Sequence, residues 1–255
     1  MADAPAPPRD PFAALRRATP ARIGLGRAGQ GLPTAPMLAF QLAHARACDA
    51  VHAAVDVPRL QADLAAPSLA VASAAPDRSA YLKDPGLGRR LDPQTDPLPA
   101  GDHHLAIVIG DGLSAVAVQA HAAGVVQALL GRLPNWRIAP IVIARQARVA
   151  LGDEVGQALG ARAVVMLIGE RPGLSAADSL GAYLTWDPRP GRRDHERNCV
   201  SNIRQPDGLS YAQAADKIAW LLTEARRLGF TGVALKDRQG GAGEIGGSSV
   251  AAPES

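Results

Sequence analysis

The spacing of apolar residues changes partway along the chain. Residues 104–110, HLAIVIG, are apolar at nearly every position and end in glycine. A continuous run of this kind suits a strand covered on both faces, since alternation is needed only where one face meets water. Residues 138–144 (IAPIVIA) and 163–169 (AVVMLIG) repeat the pattern, and 180–186 (LGAYLTW) and 198–204 (NCVSNIR) read as further strands. Between them, residues 111–133 read as a turn followed by an alanine-rich helix, and 151–161 as a short helix. Residues 209–229 carry apolar side chains at helical spacing. Strands alternating with helices predict an α/β fold, here a mostly parallel, Rossmann-like open sheet with flanking helices.

A helical N-terminal region precedes that sheet. Asp10 followed by Pro11 is a helix start, with an acceptor at the cap and a fixed φ in the first turn. A short helix over 11–18 follows, then a glycine- and proline-rich loop. Thr34 is placed to cap a helix over 35–55, with an apolar stripe of Met37, Phe40, His44, Cys48, Val51 and Val55. A core or an interface face would each explain that stripe. Residues 56–103 hold short elements broken by proline and glycine, and 76–91 is the most ordered-looking part. The division expected is a flexible tail (1–9), a helical and irregular region (10–103), an α/β domain (104–237) and a second flexible tail (238–255). The glycine- and serine-rich composition of the last segment offers little apolar surface to bury.

Composition narrows the function. Aromatic residues make up 4% of the chain, so the core must rest on Ala, Val, Leu and Ile. The formal charge is +3, lysine occurs only at 83, 217 and 236, and the pair Arg192-Arg193 is followed by Asp194 and Glu196. Nucleic-acid binding needs clustered cations, and none are clustered here. Two cysteines, Cys48 and Cys199, make neither a disulfide framework nor a structural zinc set. The N-terminus lacks the apolar core of a signal peptide, and no apolar run approaches the roughly 20 residues needed to cross a bilayer. A reducing, cytoplasmic setting is expected.

Open α/β sheets bind ligands beyond the carboxyl ends of their strands. Three loops should lie there: Asp111–Ser114, Gln146–Val149 and Glu170–Leu174. They make either a binding rim or plain turns, and the pattern alone supports both readings. Glu170 follows a buried strand in a loop stiffened by Pro172 and Gly173, where its carboxylate could accept hydrogen bonds from a ligand. It could equally be a surface acid paired with Arg171.

Four patterns read as decoys. Gly24–Gly29 satisfies G-x-G-x-x-G, with Asp49 near the expected acidic position, but Pro20 precedes it closely, only Ala21-Arg22-Ile23 could be strand, and Pro33 intervenes before the next helix. His44, Cys48 and His52 recur at i, i+4 and i+8, yet two of them sit on the apolar stripe, and three ligands on one helix rarely close a site. Asp111, Ser114 and His121 lie close in sequence without the nucleophile elbow of a hydrolase. Asp102-His103-His104 opens like the D-x-H-x-x-G motif that supplies histidine to cobalt, but position 107 is isoleucine.

Several segments together carry a resemblance: RRATPARIGLGRAG, LAHARACDAVH, YLKDPGLGRRL, VIGDGLSAVAV, GDEVGQALGARAVVMLIGERPGL and RNCVSNIRQPDGLSYAQAADKIAWLL. With VVMLIGERPGL and CVSNI the most specific pair, the chain resembles the small subunit (light chain) of ethanolamine ammonia-lyase over roughly residues 12–225. The resemblance implies one subunit of an adenosylcobalamin-dependent radical lyase that converts ethanolamine to acetaldehyde and ammonia. A larger TIM-barrel subunit would bind substrate and supply the catalytic groups, making a hetero-oligomer with the cofactor at the interface.

Carried onto this chain, the family's cobalamin contacts fall on Val149, Glu170 and Cys199, with Asp111, Ser114 and Arg148 as secondary candidates. The resemblance implies base-on cofactor, no metal ligand and no catalytic acid, base or nucleophile from this chain. It implies neither nucleic acid nor membrane as a partner. Some relatives carry a longer N-terminal extension linked to packaging in a bacterial microcompartment. Here the tail before the first helix is short, so a free cytosolic complex is expected at least as much as an encapsulated one. The sheet pattern by itself also admits a standalone α/β small-molecule-binding protein without turnover.

Overall fold

The computed structural model describes residues 10–236. The expected tails, residues 1–9 and 238–255, lie outside the described residues, as does residue 237. In chain order the elements are α1 (Ala13–Ala18), α2 (Thr34–His52), α3 (Val57–Leu64), β1 (Ser68–Ala72), α4 (Arg78–Lys83), β2 (His103–Gly110), α5 (Ala115–Leu130), β3 (Ile141–Arg145), α6 (Leu151–Ala158), β4 (Ala161–Gly169), β5 (Leu180–Trp186), β6 (Asn198–Ile203) and α7 (Tyr211–Leu228). Six strands form one sheet in the order β1-β3-β2-β4-β5-β6.

The α/β fold is as expected, but the sheet is mixed. β1, β3, β2 and β4 pair in parallel, whereas β4–β5 and β5–β6 are antiparallel. The reason is the length of the connections. Residues 170–179 link β4 to β5 and residues 187–197 link β5 to β6, and a parallel return needs about a dozen residues or more, usually a helix. β1 is a strand from within the segment that the sequence left unassigned, so the sheet draws its first edge from upstream of residue 104. The helix expected over 35–55 is α2, and the separate helix α3 follows it. α2 ends at His52, and Asp56 starts α3 by accepting the Arg59 amide at 3.1 Å. Thr34 is the first residue of α2, not its cap.

The sheet buries both faces. On one, Leu105, Ile107, Ile109, Val165, Leu167 and Leu184 pack under α5 and α7. On the other, Val108, Val142, Val164, Met166 and Ile168 pack under α6. Each such side chain contributes about 1.5–3 kcal/mol by leaving water. α7 begins with a capping box in which Ser210 and Gln213 satisfy each other's backbone amides. The N-terminal arm is different. From Asp10 through Asp49 no residue is buried, and α2 buries only Ala50.

Candidate functional site

β2, β3 and β4 finish level with one another, Gly110 standing beside Ala144 and Ile168. The three expected loops therefore do gather along one edge. Asp111 binds two of them together. Its carboxylate oxygens accept the amides of Gln146 and Ala147, both at 2.9 Å, and Arg78 lies 3.6 Å away. Burial pushes the Asp111 carboxyl up, and the two backbone amides and Arg78 oppose that push. Gly112 has φ +56 and lies so close to the Gly169 carbonyl that a Cβ would stand 2.3 Å from its oxygen. Only glycine lets the first and third loops touch in this way.

Beside these loops is a cleft of about 430 Å³ lined by Tyr81, Gly112, Arg148, Val149, Glu170 and Tyr183, among others. Val149 is half-buried against the core beneath α6. Arg148 lies over the Tyr81 ring, 4.3 Å from its centroid, and its Nε is buried with no hydrogen-bond partner among the described residues. Tyr81 is held in turn by its hydroxyl, which donates to the Ala147 carbonyl at 2.9 Å.

Glu170 is positioned by the neighbouring strands. Its Oε2 accepts from the Ser179 hydroxyl and, at 3.3 Å, from the Asn202 amide. That amide is presented by an irregularity between β5 and β6, where Asn202 adopts φ +58. Gly181 leaves room for the carboxylate: a Cβ there would stand 2.9 Å from Oε1.

Cys199 pairs across the sheet with Tyr183, and Tyr183 with Met166. It therefore lies below the rim, near the start of its strand, not at or past the carboxyl end where the other two candidates stand. It still belongs to the cluster. Burial pushes the Tyr183 hydroxyl up to about 12, helped by Cys199 and then by the Glu170 charge. Cys199 is exposed on the edge strand, yet protein around its sulfur desolvates the thiolate and raises the thiol. The Tyr183 hydroxyl opposes that rise and the Glu170 charge adds to it. Val149, Glu170 and Cys199 thus share one face, joined through Tyr183.

The secondary candidates divide. Arg148 lines the cleft. Asp111 is engaged with backbone amides, and Ser114 is fully buried. Its Oγ caps α5 at the Ala117 amide and donates to the Ala177 carbonyl at 2.7 Å. Tyr81, Tyr183, Ser179 and Asn202 were missed. A tyrosine inside a strand of otherwise small and apolar residues was the one available signal for Tyr183; the contacts of the others are long-range.

The remaining patterns lie elsewhere. Gly24–Gly29 sits in irregular chain with no strand before it. His44 Nδ1 is 3.8 Å from Cys48 Sγ on the exposed side of α2. His121 bonds the Tyr211 hydroxyl at 2.9 Å and makes no pair with Ser114. His104 is at the opposite edge of the sheet, where its Nδ1 accepts the Arg137 amide at 3.2 Å.

Comparison with known proteins shows the family of the chain. The family model for the ethanolamine ammonia-lyase light chain (EutC) matches residues 9–236. The chain belongs to the ethanolamine ammonia-lyase light-chain family. The ethanolamine ammonia-lyase small subunit of Bradyrhizobium diazoefficiens is 57% identical over 243 residues, covering 91% of this chain and 93% of that one. That of Xanthomonas campestris pv. campestris is 53% identical, covering 91% and 89%. That of Azotobacter vinelandii is 52% identical over 249 residues, covering 93% and 92%. The match to the light-chain family takes in the exposed arm as well as the sheet. Among the described residues, no helix of this light-chain family member is long and apolar enough to cross a membrane.

Proposed function

We propose that this chain is the small, non-substrate-binding subunit of ethanolamine ammonia-lyase, and that its cleft holds one side of adenosylcobalamin against a larger subunit. That subunit binds ethanolamine and carries the catalytic groups, and the complex works in the cytoplasm, free or within a bacterial microcompartment. One observation carries the cofactor reading. Val149 and Glu170 line a single cleft, and Tyr183 connects that cleft to Cys199.

The residues present suit the cofactor. A volume of about 430 Å³ is at the small end for ligand pockets. It would take one side of a corrin but not surround it, which favours a cofactor shared with a second chain. The unpartnered Arg148 Nε is a donor in want of an acceptor, and Glu170 is an acceptor for corrin amide arms. Val149 offers an apolar contact to the ring, and Cys199 is small enough for close approach.

Adenosylcobalamin, when bound, supplies the cobalt–carbon bond from which the radical chemistry starts. The protein's part is to orient the macrocycle and keep water from it. Within the cleft, Glu170 is fixed by Ser179 and Asn202 before any ligand arrives, so little ordering remains to be done on binding. The pairing of Tyr183 with Cys199 sets the floor of the face presented to the ring.

The test is co-expression with the larger subunit, followed by cobalamin-dependent release of ammonia from ethanolamine. Glu170→Ala in the assembled complex should weaken cobalamin binding about tenfold or more, the loss of a charge-assisted hydrogen bond. Unchanged affinity would remove Glu170 from the site. Cobalamin binding without lyase activity in the full complex would favour a binding protein without turnover.

A further inference from the structure

Glu170 has supports that lie behind the cofactor cleft. Arg204, just past the end of β6, is almost wholly buried. It does not line the cofactor cleft. It lines a separate one of about 670 Å³ beneath α2. A buried guanidinium needs acceptors, because unmet donors cost free energy. Those that Arg204 finds belong to the two groups that hold Glu170.

The direct link is Asn202. Arg204 Nε donates to Asn202 Oδ1 at 3.2 Å, and the Asn202 amide donates to Glu170 Oε2. Asn202 stands at φ +58, away from regular strand geometry, so an anchored side chain keeps its amide aimed. The second link is Asp178. Arg204 Nη1 lies 3.7 Å from Asp178 Oδ1, and Asp178 immediately precedes Ser179, whose hydroxyl donates to Glu170. That gap exceeds hydrogen-bond range, so the contact is a restraint by charge. The other Asp178 oxygen is 3.7 Å from His121 Nε2, a buried nitrogen with no hydrogen-bond partner among the described residues.

The stem of Arg204 is fixed as well. The Gly208 amide donates to the Arg204 carbonyl at 3.1 Å, and the Leu209 amide to the Asn202 carbonyl at 2.8 Å. A Cβ at Gly208 would stand 2.8 Å from Arg204 Cγ, so this turn packs directly on the stem. A rigid planar fork can address two acceptors at once, which a single ammonium on a flexible chain cannot.

We propose that Arg204 is the positioning residue for the cofactor-binding carboxylate: by joining the Asn202 side chain to Asp178 it locks β6 to the base of the 170–179 loop and aims Glu170 into the cleft. The inference rests on the reading of Glu170 as a cofactor contact. Arg204 lies outside the cofactor cleft, so its effect runs through Glu170.

The test is a double-variant cycle on adenosylcobalamin affinity in the assembled complex. Arg204→Met keeps most of the stem and removes the fork. It should weaken binding about three- to tenfold, and Arg204→Lys should recover little of that. In a Glu170→Ala background Arg204→Met should change nothing further. A second readout is alkylation of Cys199 in the cofactor-free complex, followed at that residue by mass spectrometry. After burial, the Glu170 charge is what raises that thiol. Freeing Glu170 should therefore move the rate profile to lower pH, and a Glu170→Gln background should abolish the response. If Arg204→Met does not assemble, Asp178→Asn removes the half-exposed partner on the loop side and should move both readouts in the same direction.

Where Glu170→Ala weakens cobalamin binding, wild-type affinity in the Arg204 variant would overturn the proposal. So would an equal loss with and without Glu170, which is what a merely structural role gives. Where Glu170→Ala is itself silent, the cofactor reading falls. The Cys199 profile then decides alone: a profile that follows Arg204 upholds the positioning, and an unmoved one overturns it.

Discussion

The Glu170 carboxylate is held on β5 and β6 by the Ser179 hydroxyl and the Asn202 amide, although Glu170 itself follows β4. A residue from the parallel half of the sheet is therefore aimed by the antiparallel half. The two added strands place Asn202 and Tyr183 beside a parallel-sheet rim.

Gly181→Ala should displace Glu170 without unfolding the chain. The new Cβ would meet the end of a flexible side chain, which can move. Cobalamin affinity of the assembled complex should fall several-fold while the urea midpoint stays within about 0.5 kcal/mol of wild type. Equal affinity would mean that Oε1 has no part in binding.

The cluster can be checked without cofactor, through alkylation of Cys199 by iodoacetamide in a Cys48→Ser background. The raised thiol predicts a rate that climbs at higher pH than for an ordinary cysteine. Glu170→Gln removes a negative neighbour and should move the profile to lower pH. Tyr183→Phe removes the hydroxyl that stabilises the thiolate and should move it higher. Identical profiles in all three proteins would separate Cys199 from Glu170 and Tyr183.

Tyr81 gives a pH dependence of stability. Its folded-state pKa is pushed from 10.0 to about 12, chiefly by burial. Between those values the unfolded chain loses the proton first, so stability is intact below pH 10 and falls as pH rises toward 12. Tyr81→Phe should flatten that alkaline slope in urea titrations. At pH 7 it should cost about 1 kcal/mol, for the lost hydrogen bond to Ala147. An unchanged slope would place the alkaline loss in another group.

Arg197 and Asp153 form an ion pair in which both side chains are almost fully buried, joining the start of β6 to α6. Asp153→Ala leaves the guanidinium without that partner and should destabilise the chain by about 3–5 kcal/mol in denaturant melts. A loss below about 1 kcal/mol would show that Asp194 and the Arg192 carbonyl, which also accept from Arg197, suffice.

Much of the fold was legible because burial on both faces leaves continuous apolar runs. The strands at 104–110 and 163–169 and the helix ending near 228 stand where period alone put them. β1 was not legible, since SLAVA between Pro67 and Pro76 is too short to separate from a turn. The direction of β5 and β6 was implicit in the short connections, but strand pairing is a long-range choice that local pattern does not report.

The sequence by itself determined the alternation of strand and helix, the three loops that follow the parallel strands, and the family, since local periodicity and residue identity are properties of the chain taken in order. Only the tertiary structure decided that Tyr81, Arg148, Glu170 and Tyr183 line one cleft, that Cys199 lies below its rim, and that α2 turns its apolar stripe outward. Those facts depend on contacts between residues distant in the chain, where packing and hydrogen bonding, not local preference, set the geometry.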